Sequence, residues 1–174
     1  IGLVTNATLN PADANYKWAD QGIIIQSVPN RDLWNAIDPN LIFDEKGTPY
    51  LAFGSFWSGL KMVKLNVNLK EVAKPEEWTA IASRDRKGDT EEAEAGNGAI
   101  EGPFIFKKGD YYYQFNSWDY CCRGEKSTYK LMVGRSKTVT GPDVDKNGVE
   151  LNEGGGSLVI KENKNWYGVG HNSV

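Results

Sequence analysis

The chain has 174 residues, a formal net charge of −3, two cysteines and one histidine. That length allows one domain with a sizeable core, and the slightly acidic balance argues against nucleic acid or an anionic membrane as partner. No apolar run approaches the length that spans a bilayer, and the adjacent pair Cys121-Cys122 excludes a disulfide framework across the domain.

Taken in chain order, the apolar residues fall into short runs bounded by Gly, Asn, Asp, Lys and Pro, the pattern of strands rather than helices. The first run, Ile1-Gly2-Leu3-Val4-Thr5-Asn6, leads to Leu9-Asn10-Pro11, much as Val133-Gly134-Arg135-Ser136 leads to Thr140-Gly141-Pro142. The chain is therefore expected to enter at the third strand of a repeated unit. It opens without an initiator Met or the basic start of a signal peptide, and it is expected to be a piece of a longer protein.

The repeat itself begins at Asn35-Ala36-Ile37-Asp38-Pro39-Asn40. Leu41-Ile42-Phe43, a charged turn at 44–47 and Tyr50-Leu51-Ala52-Phe53-Gly54-Ser55 follow. The second copy begins at Ala99-Ile100-Glu101-Gly102-Pro103. It continues with Phe104-Ile105-Phe106, a turn at 107–109 and Tyr111-Tyr112-Tyr113-Gln114-Phe115-Asn116-Ser117. Each pair of runs is expected to form a hairpin, because charged residues ending in Gly favour tight turns. Third strands are expected at Leu60-Lys61-Met62-Val63-Lys64-Leu65 and Lys130-Leu131-Met132-Val133-Gly134-Arg135, and fourth strands at 78–82 and 157–161. Between the copies, 84–98 carries Asp89-Thr90-Glu91-Glu92-Ala93-Glu94 and reads as a solvated loop, its acids lacking the spacing of a calcium loop. A third copy opens at Gly170-His171-Asn172-Ser173-Val174.

Four antiparallel strands per repeat is the pattern of a propeller blade. The expected fold is all-β, with complete blades at about 31–83 and 99–161 and parts of two others in a single domain over 1–174.

Residues that start the innermost strand of each blade meet at the central axis, so Asp38 and Glu101 are expected to converge. Two carboxylates facing a groove suit glycoside hydrolysis, one donating a proton and another assisting. The same pattern also suits turn residues that cap strand starts. Trp57 and Trp118 follow the second strand of each copy, where flat rings match the C–H faces of sugars or pack between blades. The Ser55 and Ser117 hydroxyls are candidates to bond sugar oxygens. His171 stands third in register, placed to touch the acids or a hydrated cation. The single histidine and the absence of a CxxC pair argue against a zinc site. Cys121-Cys122 forms either a vicinal disulfide or a reduced pair, and neither state suggests a nucleophile.

Six segments together, Asn35-Ala36-Ile37-Asp38-Pro39-Asn40, Gly54-Ser55-Phe56-Trp57-Ser58-Gly59, Ala99-Ile100-Glu101-Gly102-Pro103, Trp118-Asp119-Tyr120-Cys121-Cys122-Arg123-Gly124, Val133-Gly134-Arg135-Ser136 and Gly170-His171-Asn172-Ser173, resemble glycoside hydrolase family 43. More narrowly they resemble its endo-acting 1,5-α-L-arabinanases. The resemblance implies a five-bladed β-propeller that hydrolyses internal links of arabinan with inversion. It implies Glu101 as general acid, Asp38 as modulator of that acid, and Ser55 in the substrate cleft with Asn35 beside the acid loop. It further implies His171 next to one central calcium ion (Ca2+) held largely by water.

No residue matches the family's general-base Asp, since Asp13, Asp20 and Asp32 belong to the end of an earlier blade. The isolated chain is therefore expected to be inactive. Partners implied are arabinan or arabino-oligosaccharides and the missing blades, and the substrate implies an extracellular or periplasmic location. The alternatives are an exo-acting α-L-arabinofuranosidase or β-xylosidase on the same fold, and a non-catalytic carbohydrate-binding propeller.

Overall fold

The computed structural model describes residues 1–85 and 98–174. The acidic run 89–94, expected to be a solvated loop, lies outside the described residues. Ten strands are present among them: β1 (Gly2–Thr5), β2 (Ala19–Ile23), β3 (Asn40–Phe43), β4 (Pro49–Phe53), β5 (Leu60–Lys64), β6 (Trp78–Ala82), β7 (Ile100–Lys108), β8 (Tyr111–Trp118), β9 (Lys130–Ser136) and β10 (Ser157–Ile160). They form a two-stranded sheet, β1-β2, and two four-stranded antiparallel sheets, β3-β4-β5-β6 and β7-β8-β9-β10.

Turn chemistry sets the registers. The Asp44 carboxylate accepts the N–H groups of Lys46 and Thr48 at 2.8 Å each. Gly47 takes the left-handed conformation that closes the turn, so Phe43 pairs with Pro49. The second hairpin differs from expectation. Its lysines stay in the ladder, Lys107 opposite Tyr112 and Lys108 opposite Tyr111. The turn is Gly109-Asp110, with Gly109 at φ 58° in the first central position, where a two-residue hairpin favours glycine.

Alternation along β4 and β5 gives the first sheet two buried faces. Ala52, Leu60 and Met62 join Ile81 and Ala82 against Ile100, Ile105, Tyr112, Val139 and Leu151 of the second sheet's side. Leu51, Phe53, Val63 and Leu65 pack on the opposite face with Ile25, Ile1 and Trp34. A strand that sends successive side chains to opposite faces produces this division. Polar contacts stitch the seam between the sheets: the N–H of Ile105 donates to Asn40 Oδ1 at 2.9 Å, and that of Ser83 donates to the Leu151 carbonyl at 2.9 Å. At the outer ends of the stack, Val4, Trp18 and Ile23 on one side and Leu158, Val159 and Ile160 on the other remain exposed.

Candidate active site

The seam between the two sheets positions Glu101. It lies in β7 directly before a register shift that runs to Phe104. On one side it pairs with Ser117 of β8; on the other it forms an antiparallel bridge with Ser55, supported by the Phe56 N–H donating to the Ile100 carbonyl at 2.7 Å. The backbone at Glu101 is thus fixed from both sheets.

Ser55 is itself held. Asn35 Nδ2 donates to its hydroxyl oxygen at 2.7 Å, and Ser55 is buried. Asp38 occupies a bend before β3, with φ 54°. Its carboxylate faces His171, whose Nε2 lies 3.8 Å from Asp38 Oδ1. The His171 ring in turn covers Gly102: a Cβ at that glycine would come within 3.3 Å of the ring. The single histidine therefore lies between Asp38 and the residue that follows Glu101. The chain brings Asp38, Glu101, His171, Ser55 and Asn35 together.

Ser117, expected to face sugar, is instead fully buried. Its oxygen accepts the His171 N–H at 2.7 Å. It braces the site from within. Trp118 makes packing contacts. Its ring packs against the core shared by the two sheets, the Arg84 guanidinium lies 4.4 Å from the ring centroid, and a Cβ on Gly156 would meet the ring at 3.0 Å. Covered on these sides, it is partly buried and takes up the packing place that was one of its two expected readings. Trp57 differs: with φ 40°, it lines a cavity of about 370 Å3 together with Trp34, Leu33, Asp32, Asn30 and Asn35. Aromatic walls with a few polar groups are the make-up of a small-molecule cleft.

Sequence reasoning did not single out Tyr129. Its phenol donates to Glu101 Oε1 at 2.7 Å, and the residue is buried. Burial pushes the phenol's pKa well above its ordinary value, and the Glu101 hydrogen bond and the Glu101 and Asp38 charges push the same way, against the neighbouring Ser117 hydroxyl. Tyr129 is consequently a permanent donor. The available signal was a break in the repeat: aligning Met62-Val63 with Met132-Val133 puts Tyr129 where the first copy has Gly59.

Arg84 also serves the acid's strand. Its guanidinium donates to the Ala99 carbonyl at 2.9 Å and to Asp119 Oδ1 at 2.6 Å, while Lys130 reaches the other Asp119 oxygen at 2.6 Å. Burial alone would raise the Asp119 carboxyl; hydrogen bonds from Lys130 and Arg84 outweigh it and hold the group below its ordinary value. Cys121 and Cys122 are joined as a vicinal disulfide. They lie in the loop whose Tyr120 ring meets Phe56 at 6.3 Å.

Among the described residues no three of His, Cys, Asp and Glu come together as a metal site. An imidazole nitrogen is also not the oxygen donor that calcium prefers.

Comparison with known proteins places these features. The family model for glycosyl hydrolases family 43 matches residues 2–174. An extracellular exo-α-(1→5)-L-arabinofuranosidase, ArbA, of Cellvibrio japonicus is 57% identical over all of this chain and 50% of its own length. An extracellular endo-α-(1→5)-L-arabinanase of Bacillus subtilis is 41% identical over all of this chain and 49% of its own. The solved structure of a Cellvibrio cellulosa α-L-arabinanase complexed with arabinohexaose superimposes with a TM-score of 0.94 at 56% identity, covering 98% of this chain and 54% of that one. The chain spans about half the length of the curated relatives it matches, and the sheets described above are part of a β-propeller.

Proposed function

The chain belongs to glycosyl hydrolase family 43, and from that premise we propose that the whole protein hydrolyses α-1,5-linked arabinofuranosyl bonds of arabinan. The observation that carries this reading is the placing of His171 against Asp38 and over Gly102, next to Glu101, with Ser55 bridged to Glu101. Relatives named for action on these linkages support the substrate class.

In this mechanism Glu101 gives its proton to the glycosidic oxygen as the C1–O bond breaks. Water attacks C1 from the opposite face, and its proton passes to a carboxylate base. A single displacement inverts the anomeric centre and needs acid and base roughly 6.5–9.5 Å apart. Asp38 acts on the acid through its charge. Asp32 is no base, since its oxygens already accept from Arg31 and from the Val28 N–H. Without an activated water the 174-residue chain alone is inactive, a loss of about 100- to 10,000-fold from the base alone. An assay of that chain on arabinan reads this directly, and turnover would contradict it.

Attack on internal linkages is the first reading of mode. Exo action is the second, favoured by the name of the relative at 57% identity. The product profile on linear arabinan separates them: oligosaccharides of mixed length from the outset mean endo action, one short product means exo action. Both curated relatives are named extracellular, which supports a location outside the cytoplasm, where a polymer is met.

Glu101→Gln in the whole protein tests the assignment. It is expected to abolish hydrolysis of arabino-oligosaccharides while binding by calorimetry persists. Wild-type turnover would remove Glu101 from the role, and binding without hydrolysis in the unaltered whole protein would point to a carbohydrate-binding propeller instead.

A further inference from the structure

Resting on the reading of Glu101 as proton donor, we propose that Tyr129 is a positioning residue that keeps Oε1 of Glu101 an acceptor, so that the acid's proton resides on Oε2 and faces the leaving oxygen. The phenol is 2.7 Å from Oε1 and 3% exposed, so no water competes for its single proton. The His171 N–H occupies the Ser117 oxygen, and Ser117 and the Tyr129 ring lie side by side over Gly170. Among the described residues, the phenol's one observed hydrogen bond is the one it donates to Glu101.

Gly170 makes room for this arrangement. A Cβ there would lie 2.5 Å from the Tyr129 ring and 2.9 Å from Ser117 Oγ, closer than real Cβ atoms come. Burial holds the phenol protonated, so its hydrogen points at Glu101 in every state of the reaction.

The consequence is chemical. As the Oε2 proton moves to the glycosidic oxygen and the C1–O bond breaks, negative charge grows on the Glu101 carboxylate. The proton of the attacking water goes to the base, so one proton enters and one leaves. The Tyr129 hydrogen bond becomes charge-assisted during this transfer and strengthens, and an interaction stronger in the transition state than in the ground state accelerates the step.

Tyr129→Phe in the whole protein, measured beside Glu101→Gln, tests this. On arabino-oligosaccharides kcat is expected to fall about 10- to 100-fold with little change in KM, the scale of a hydrogen bond to a charged group. The alkaline limb of the pH–rate profile should move to higher pH, since a carboxylate that loses a donor holds its proton more tightly. With 4-nitrophenyl arabinofuranoside, whose leaving group needs no proton, the deficit should largely vanish.

An equal loss on both substrates would mark Tyr129 as merely structural and overturn the proposal. So would an unchanged kcat with an unmoved limb while Glu101→Gln is inactive. Wild-type turnover by Glu101→Gln would overturn the acid assignment and this inference with it. Should Tyr129→Phe fail to fold, Gly170→Ala, whose Cβ would press on the Tyr129 ring, displaces the phenol instead: a loss confined to the unactivated substrate supports the proposal, and a uniform loss or none overturns it.

Discussion

Ser55 and Glu101 pair as an antiparallel bridge across the seam between the two four-stranded sheets, so the proposed acid is registered by the neighbouring sheet as well as by its own. Whatever fixes Ser55 therefore fixes Glu101. This is how a residue on the first repeat influences chemistry carried on the second.

Asn35→Ala is expected to show that coupling. It removes the 2.7 Å donor from the buried Ser55 hydroxyl and leaves a polar atom short of a partner, which destabilises by about 1–2 kcal/mol. Chemical denaturation of the whole protein reads the stability, and turnover of arabino-oligosaccharides should drop with it. An unchanged midpoint with unchanged turnover would show that Ser55 holds its place without Asn35.

Much of this arrangement is legible in the sequence because it follows local rules. Strands β3, β4, β7 and β8 follow from apolar runs separated by Gly turns, and the approach of His171 to Asp38 and to Gly102 beside Glu101 follows from equivalent places in the repeat. The sides that Ser117 and Trp118 present are not legible. They depend on Arg84, Gly156 and the His171 backbone, which meet them only through tertiary packing. Tyr129 escaped because a buried tyrosine in a tyrosine-rich chain looks like core until its hydroxyl's partner is seen. The state of Cys121-Cys122 was open because neighbouring thiols suit either form; the fold joins them.

Trp57→Ala is expected to separate binding from chemistry. Trp57 lines the 370 Å3 cavity that reaches Asn35 and does not touch Glu101 in any contact described. Removing the ring should raise KM for longer arabino-oligosaccharides about 3- to 10-fold, the scale of one aromatic contact, and leave kcat near wild type. Steady-state kinetics across a chain-length series would show this, and a kcat effect alone would place Trp57 elsewhere in the reaction.

Arg84 offers a test that lysine should fail. The guanidinium simultaneously bonds the Ala99 carbonyl and Asp119 and stacks on Trp118, three roles that need a planar fork. Arg84→Ala should lower stability by about 1–3 kcal/mol, and Arg84→Lys should recover less than half of that. Full recovery by lysine in a thermal melt would reduce the role of Arg84 to its charge.

The last expectation concerns pH and a carboxylate away from the site. Asp143 is buried, with Oδ1 unpartnered, beside a small cavity that Ala80, Ile81, Glu150 and Asn152 help to line. Burial raises its pKa to about 7 from an ordinary 3.8. The folded state then holds a proton that the unfolded chain has released, so stability falls as pH rises from about 4 to about 7. The full effect, on the order of 4 kcal/mol as an upper bound, is reached above neutrality, where the buried group must ionise. Asp119 works oppositely, since its lowered pKa favours folding until acid pH protonates it. Asp143→Asn keeps the shape and removes the charge. Its melting temperature should change little between pH 5 and 8, while that of the unaltered protein should decline over that window. Parallel pH dependences in the two proteins would show that Asp143 finds a compensating partner in solution.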